Sequence, residues 1–208
     1  MTWIDDLQSA GDHATKVKGD LEYFSQYLKI RPKVGSLAPF TLNAAQLELH
    51  RIIEEQKAKT GRVRVVVLKA RQLGVSTYVA ARFYHRTVNA PGLRTIILGH
   101  KVDASRNLFG IVKRFHDHLP DDLRPSISVS NADELIFDRL DSGYLVTVAT
   151  TEGAGRSATA QMLHASETAF WPDLETQWAS VMQTVPDMDG TEVIIETTAN
   201  GYNDFYKL

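Results

Sequence analysis

Val63-Arg64-Val65-Val66-Val67-Leu68 runs directly into Lys69-Ala70-Arg71-Gln72-Leu73-Gly74-Val75-Ser76-Thr77, and no other segment of the chain constrains its fold as tightly. Apart from Arg64 the first six residues are apolar and mostly β-branched, too few for a helix and too uniform for a half-exposed strand, so they read as a buried parallel strand. The loop that follows opens a helix through Tyr78, Ala81 and Tyr84. Such a loop presents backbone N–H groups and the positive end of a helix to an anion, which is how phosphates are cradled. The usual signature is G-x-x-x-x-G-K-[ST]. Gly74 and Ser76 hold its second glycine and its hydroxyl, whereas Val75 stands at the lysine position and Lys69 at the first glycine. Cationic charge against a triphosphate can come instead from Lys69 or Arg71. Taken alone, the loop is equally a strand-to-helix turn with Gly74 as its bend and Ser76 as a helix cap.

Upstream, Phe40-Thr41-Leu42-Asn43 closes on a helix N-cap, with Gln46 at the third helical position as in a capping box, and Leu47, His50, Ile53 and Gln56 continue that helix. Residues 1–40 form an N-terminal helical extension, in which Leu21, Phe24, Tyr27 and Leu28 predict a helix over 20–30 that Arg31-Pro32 ends. Residues 41–208 form the main domain. Downstream, Arg94–Gly99 is a second buried strand, followed by a helix over 103–118 that stops before Pro120. Residues 126–150 change character. Short segments at 128–130, 134–137 and 144–150, with a turn at Asp141-Ser142-Gly143, predict antiparallel strands. Residues 159–165 and 192–197 are further central strands bracketing a helix over 174–185. The alternation predicts an α/β fold: a mostly parallel central sheet flanked by helices, with added antiparallel strands.

Composition agrees with one globular unit. The chain has 208 residues, 43% of them hydrophobic, and a net charge of −2, which excludes collagen-like, supercharged and disordered sequences. The absence of cysteine removes disulfides, thiolate metal sites and cysteine nucleophiles. No uncharged apolar run approaches the ~20 residues of a membrane span, and Asp5 and Asp6 sit where a signal peptide would be basic. Charge is nonetheless uneven: residues 1–100 carry 15 basic and 8 acidic side chains, and the remainder 8 and 17. A basic N-terminal half can face a polyanion, or simply be a solvated surface.

Two further segments end in polar groups. Leu163-His164-Ala165-Ser166-Glu167 is an apolar strand whose C-terminal end delivers an acid, and ligands in open α/β sheets sit outside strand C-termini, so Glu167 is expected beside the loop after residue 68. A carboxylate there can orient and deprotonate an attacking water, or merely cap the next segment. Ile194-Ile195-Glu196-Thr197-Thr198-Ala199-Asn200-Gly201 ends in hydroxyls and an amide, able to bond a phosphate or to form an ordinary turn.

Together, Lys69–Thr77, His164–Trp171 and Glu196–Gly201 resemble, in order and spacing, the N-terminal ATPase domain of the large terminase subunit of tailed bacteriophages. The resemblance covers roughly residues 20–208. It implies a P-loop NTPase of the additional-strand catalytic-glutamate type that binds ATP and Mg²⁺ and drives double-stranded DNA into a procapsid. On that likeness Lys69, Ala70, Arg71, Gln72, Leu73, Gly74, Val75, Ser76 and Thr77 form the Walker A loop, with the lysine displaced to its start, and Lys69 and Arg71 supply transition-state charge. Glu167 is the catalytic glutamate, Thr197, Thr198, Ala199 and Asn200 the coupling segment, and Phe40 and Gln46 lie near adenine. Arg156 is a candidate arginine finger for a neighbouring subunit. Ser166 stands where a metal-associated aspartate is common, so Mg²⁺ would rest on Ser76, phosphates and water, and hydrolysis by the isolated chain is expected to be slow.

The implied partners are DNA gripped through its phosphates, a portal protein and a small terminase subunit. The motor would form a homo-oligomeric ring on the portal, be monomeric in isolation, and work in the host cytoplasm without a membrane. The family's C-terminal nuclease has no counterpart here, and no nuclease activity is expected of these residues, although the parent protein would carry one. Arg106, Lys113 and Arg114 are DNA-contact candidates or a solvated helix face. Two other readings stay open: a helicase-like DNA translocase, and a non-catalytic nucleotide-binding or DNA-docking module in which Val75 and Ser166 mark lost chemistry.

Overall fold

The computed structural model describes residues 3–149 and 159–207. In chain order these form α1 (Trp3–Gly19), α2 (Leu21–Ser25), β1 (Lys29–Ile30), β2 (Ala38–Pro39), α3 (Ala44–Thr60), β3 (Val63–Leu68), α4 (Val75–Asn89), β4 (Arg94–Gly99) and α5 (Val102–Asp117). Then follow β5 (Ile127–Ser130), β6 (Glu134–Phe137), β7 (Ser142–Val148), β8 (Met162–Ser166), a 3₁₀ turn at Thr168–Phe170, α6 (Leu174–Met182), β9 (Glu192–Thr197) and a 3₁₀ turn at Asp204–Lys207. Seven strands make one sheet in the order β3-β9-β8-β4-β7-β6-β5. The first five run parallel, and β6 and β5 extend the sheet antiparallel, as the change of character after residue 126 predicts.

Alternation along the central strands feeds two cores. Ile97, Met162 and Ile194 face one side, with Phe24, Phe40, Phe83, Tyr84 and Phe115, whereas Ile96, Leu163 and Val193 face the other, with Trp171, Leu174 and Val181. Both faces of the inner parallel strands are therefore covered, the usual condition for such a sheet. Among the described residues no helix is long and apolar enough to cross a membrane.

Three local expectations change. β3 is parallel but lies at the sheet's edge, with Val66 49% and Leu68 64% exposed, so it is not the buried strand its composition indicates. The helix expected over 20–30 stops at Ser25, because the chain turns and Lys29–Ile30 pairs with Ala38–Pro39. Leu21, Phe24 and Leu28 keep their inward spacing all the same, and Phe24 lies 4.8 Å from the His85 ring on α4. Ser142 and Gly143 belong to β7 rather than to a turn; a Cβ on Gly143 would lie 2.4 Å from the Leu135 carbonyl oxygen, so only glycine fits against β6.

The capping box forms as read. The Asn43 side chain accepts from the Gln46 N–H at 3.0 Å, and Gln46 Oε1 accepts from the Asn43 N–H at 2.8 Å. At the other end of α3, Gly61 adopts φ 72°, the left-handed cap that releases the chain into β3.

Candidate active site

Because β9 lies between β3 and β8, the loops leaving all three strands meet at one end of the sheet. They enclose a cleft of about 440 Å³ lined by Lys69, Arg71, Gln72, His100, Glu167, Phe170 and Thr198.

The loop after β3 is anchored on both sides. Lys69 N–H donates to the Thr197 carbonyl at 3.0 Å, fixing its departure beside β9. Gly74, at φ 74°, is the N-cap of α4 and has no side chain to satisfy the first-turn N–H groups, which leaves them for an anion. Gln46 Nε2 donates to the Gly74 carbonyl at 2.7 Å and Asn43 Nδ2 to the Leu73 carbonyl at 3.2 Å, so the capping box of α3 also braces the loop. Gln72 is left-handed at φ 70°, and its amide oxygen accepts from Lys33. Ala70 and Arg71 are exposed, whereas Val75 is 4% exposed and packs into the core. The position where a lysine is usual therefore points away from the cleft, and the lysine that lines it is Lys69, at the other end of the loop.

Lys69, with a side chain only 10% exposed, places Nζ 2.7 Å from Glu196 Oε2 and 3.7 Å from Glu167 Oε1. Glu167 leaves β8 at φ 53°, an unusual conformation for a residue with a side chain, held by its N–H donating to the Glu196 carbonyl at 2.7 Å. Its carboxylate accepts from the Thr198 hydroxyl at 3.2 Å. Sequence reasoning brought Lys69, Ser76, Glu167 and Thr198 to one place, and the structure does bring them together.

Beneath them lies a group the sequence reading passed over. Glu196 is fully buried, and its Oε1 accepts from Ser76 Oγ at 2.8 Å and Ser166 Oγ at 2.6 Å, with His164 Nε2 at 3.4 Å. Burial by itself pushes this carboxyl up. Hydrogen bonding and charge from His164, followed by hydrogen bonds from Lys69 and Ser166, outweigh it and hold the group down at about 2. The available signal was a carboxylate directly after the apolar run Val193-Ile194-Ile195, on the strand's last residues. His100 and Phe170, 6.1 Å apart between ring centroids, also line the cleft without a sequence signal.

The segment after β9 is tied to the turn after Glu167. Thr197 Oγ1 accepts from the Ala169 N–H at 3.2 Å, and Asn200 Nδ2 donates to the Ala169 carbonyl at 3.0 Å; Ala199 is exposed. Phe40 and Gln46 do not reach the cleft. Phe40 is 2% exposed and stacks on Phe115 at 6.2 Å, and Gln46, also 2% exposed, has its side chain committed to Asn43 and Gly74. Arg156 lies outside the described residues. Arg106 binds Asp133 through two hydrogen bonds of 2.9 and 3.0 Å, and Lys113 bonds the Asn131 carbonyl, so both hold the turn between β5 and β6.

No group of three His, Cys, Asp or Glu side chains among the described residues is arranged to hold a metal alone. Ser76 does fit a hard cation: its hydroxyl donates a hydrogen bond to Glu196, leaving oxygen lone pairs to coordinate.

No protein-family model matches the chain. Solved structures of similar shape include the HK97 bacteriophage large terminase, at TM-score 0.66 and 14% identity over 85% of this chain. The ATPase domain of the Thermus phage P74-26 large terminase matches at TM-score 0.60 and 22% identity over 82% of this chain and 68% of that one. The large terminase of the thermophilic bacteriophage D6E, in complex with ADP, matches at TM-score 0.56 and 12% identity over 74% of this chain. The chain spans 36% of the HK97 protein and 38% of the D6E protein. With its mostly parallel seven-stranded sheet and a loop–helix junction facing two strand-end carboxylates, the chain has the fold of the large terminase ATPase domain.

Proposed function

We propose that this chain is the ATP-hydrolysing motor domain of a viral terminase large subunit, powering movement of double-stranded DNA into a procapsid. The observation that carries the reading is the meeting of Lys69 Nζ and Glu167 Oε1 at 3.7 Å in one cleft, with the loop that Lys69 opens ending on the glycine-led N-terminus of α4.

ATP lies with its phosphates against the N-terminus of α4, where N–H groups and the helix dipole favour negative charge. Lys69 and Arg71 neutralise charge that builds on the transferring phosphoryl group. Glu167 orients the attacking water and takes its proton, and the Thr198 hydroxyl fixes the direction of the carboxylate. Mg²⁺ would be held by Ser76 together with phosphates and water, and supplies charge neutralisation at the leaving oxygens. When the phosphate leaves, Glu167 and Thr198 lose a neighbour, and the bonds from Thr197 and Asn200 to Ala169 carry the change into the turn behind it.

The wider role follows from the same reading. The motor works in the host cytoplasm as a ring on the portal protein with the small terminase subunit, and Arg156 of one subunit serves the site of the next. DNA is gripped through its phosphates, so binding is weak and salt-sensitive. The parent protein also carries the packaging endonuclease.

Binding of a fluorescent ATP analogue and release of phosphate, measured at high protein concentration, test the proposal. Glu167→Gln is expected to keep nucleotide binding and lose roughly 10²- to 10⁴-fold in turnover, the usual worth of a general base. Hydrolysis at the parent rate in that variant removes Glu167 from the mechanism.

A further inference from the structure

We propose that Glu196, on β9, is the metal-side carboxylate of this site, a positioning residue that aims the Ser76 hydroxyl at Mg²⁺ and holds Lys69 until a triphosphate arrives. The inference rests on the ATPase reading above and deepens it.

A buried charged residue near the end of a central strand is expensive unless its oxygens are answered. Ile194 and Ile195 show what the position would otherwise hold. Glu196 is nevertheless 0% exposed and is answered from three directions: Lys69 from the loop after β3, Ser76 from α4, and His164 and Ser166 from β8. Of these partners Lys69 lines the cleft, Ser76 sits in the first turn of α4, and His164 and Ser166 lie within the last three residues of β8, so the carboxylate is tied to the elements that carry the site.

Register explains why it stands on β9. Ser166 and Glu196 are paired neighbours across β8 and β9. The β8 position holds only a hydroxyl, which cannot accept a charge-assisted bond from Ser76; it donates to Glu196 instead. The carboxylate has in effect moved one strand across the sheet, and its longer side chain still reaches Ser76 at 2.8 Å.

The two oxygens then have different tasks. Oε1 accepts the Ser76 hydroxyl's hydrogen bond, which turns that hydroxyl's lone pairs toward a cation. Oε2 has no hydrogen-bond partner among the described residues beyond its ion pair with Lys69 at 2.7 Å. A bound triphosphate offers Lys69 a more highly charged partner. Once Lys69 turns to it, Oε2 is left to accept from water in the metal's shell, the hydration Mg²⁺ characteristically retains.

The test is equilibrium binding of a fluorescent ATP analogue to the full chain, titrated with Mg²⁺ and repeated in EDTA, for the parent, Glu196→Gln, Glu196→Asp and the double variant Ser166→Asp/Glu196→Gln. Thermal melts without nucleotide monitor folding, and Glu196→Asp, which keeps the charge opposite Lys69, covers the case in which the amide variant does not fold. In Glu196→Gln the Mg²⁺ half-saturation is expected to rise roughly 10- to 100-fold, as for other outer-shell metal partners, and to rise by a smaller factor in Glu196→Asp. Affinity in EDTA is kept or improved, because Lys69 is free from the start. The double variant restores the Mg²⁺ response. Parent-like Mg²⁺ dependence in both single variants overturns the proposal while the ATPase reading stands; a double variant as unresponsive as Glu196→Gln overturns the shift between strands. A parent chain that binds no nucleotide in either buffer overturns both readings.

Discussion

Gly74 is the point at which the loop after β3, the helix behind it and the preceding helix are locked together, so Gly74→Ala should be among the most informative single changes. Two terms set its size. At φ 74° an alanine pays roughly 1–2 kcal/mol for left-handed backbone. Its Cβ would also lie 2.6 Å from Gln46 Nε2, the atom that donates to the Gly74 carbonyl at 2.7 Å, and the amide is 2% exposed with no room to withdraw. Displacing it breaks that bond, worth about 1 kcal/mol, and disturbs the capping box. The total is about 2–4 kcal/mol, a drop of several degrees in Tm for a domain of this size. A double-mutant cycle with Gln46→Ala, read by urea unfolding of the four proteins, separates the terms. Without the amide only the backbone strain remains, so the second change should cost less in that background, with a coupling of about 1–2 kcal/mol. Equal cost of Gly74→Ala in both backgrounds would refute the idea that Gln46 braces the loop.

Thr198→Val removes the hydroxyl that steers Glu167. It should leave nucleotide affinity intact and slow hydrolysis by up to about tenfold, the rate equivalent of one such hydrogen bond; an unchanged rate would separate Thr198 from the water-activating step. At the opposite end of the sheet, Glu192 is fully buried and bound by Arg82 Nε at 2.7 Å and Nη2 at 2.9 Å. Burial pushes its carboxyl up, but the charge and hydrogen bonds of Arg82, then Arg86 and Lys57, hold it below the ordinary range. Its contribution is therefore complete above the unfolded value near 4.5 and lost as pH falls through the lower folded one. Arg82→Ala should cost up to about 3–5 kcal/mol at pH 7 by removing the two-point partner of that buried charge, with Arg86 at 2.7 Å and Lys57 at 3.8 Å left to hold it. The stability gap to the parent, followed by urea titration, should narrow below pH 4.5; a gap independent of pH would assign the cost to packing instead.

Signals carried by neighbouring residues survived folding whole, and those that depend on distant partners did so only in part. Asn43 and Gln46 are three residues apart and form the predicted capping box, because such a bond is satisfied within one helical turn. The run 192–197 is a strand to the residue, since nothing in it competes with extended structure. The run 63–68 is likewise rich in β-branched residues but lies at the edge, with Leu68 64% exposed. Its apolar faces say what lies above and below a strand, and nothing about which strand lies beside it. The segment 20–30 shows a related limit: Leu21, Phe24 and Leu28 point to the core whether the chain is coiled or turning, so their spacing could not reveal that the helix ends at Ser25.

The same distinction governs the site. Lys69 and Glu167 leave strands that are not neighbours: β9 separates them, so their backbones lie roughly two strand spacings, about 10 Å, apart. Only long side chains close that distance to 3.7 Å, which is why a lysine and a glutamate, rather than shorter residues, stand at these strand ends. The strand between them must therefore pass under their meeting point, and whatever its last inward side chain carries becomes the floor of the cleft. That residue is Glu196, and its two serine bonds join residues 120 and 30 positions apart in the chain. No spacing rule reaches so far. The floor became legible only once the order β3-β9-β8 was known, and from that order a buried carboxylate facing Lys69 follows directly from the sequence of β9.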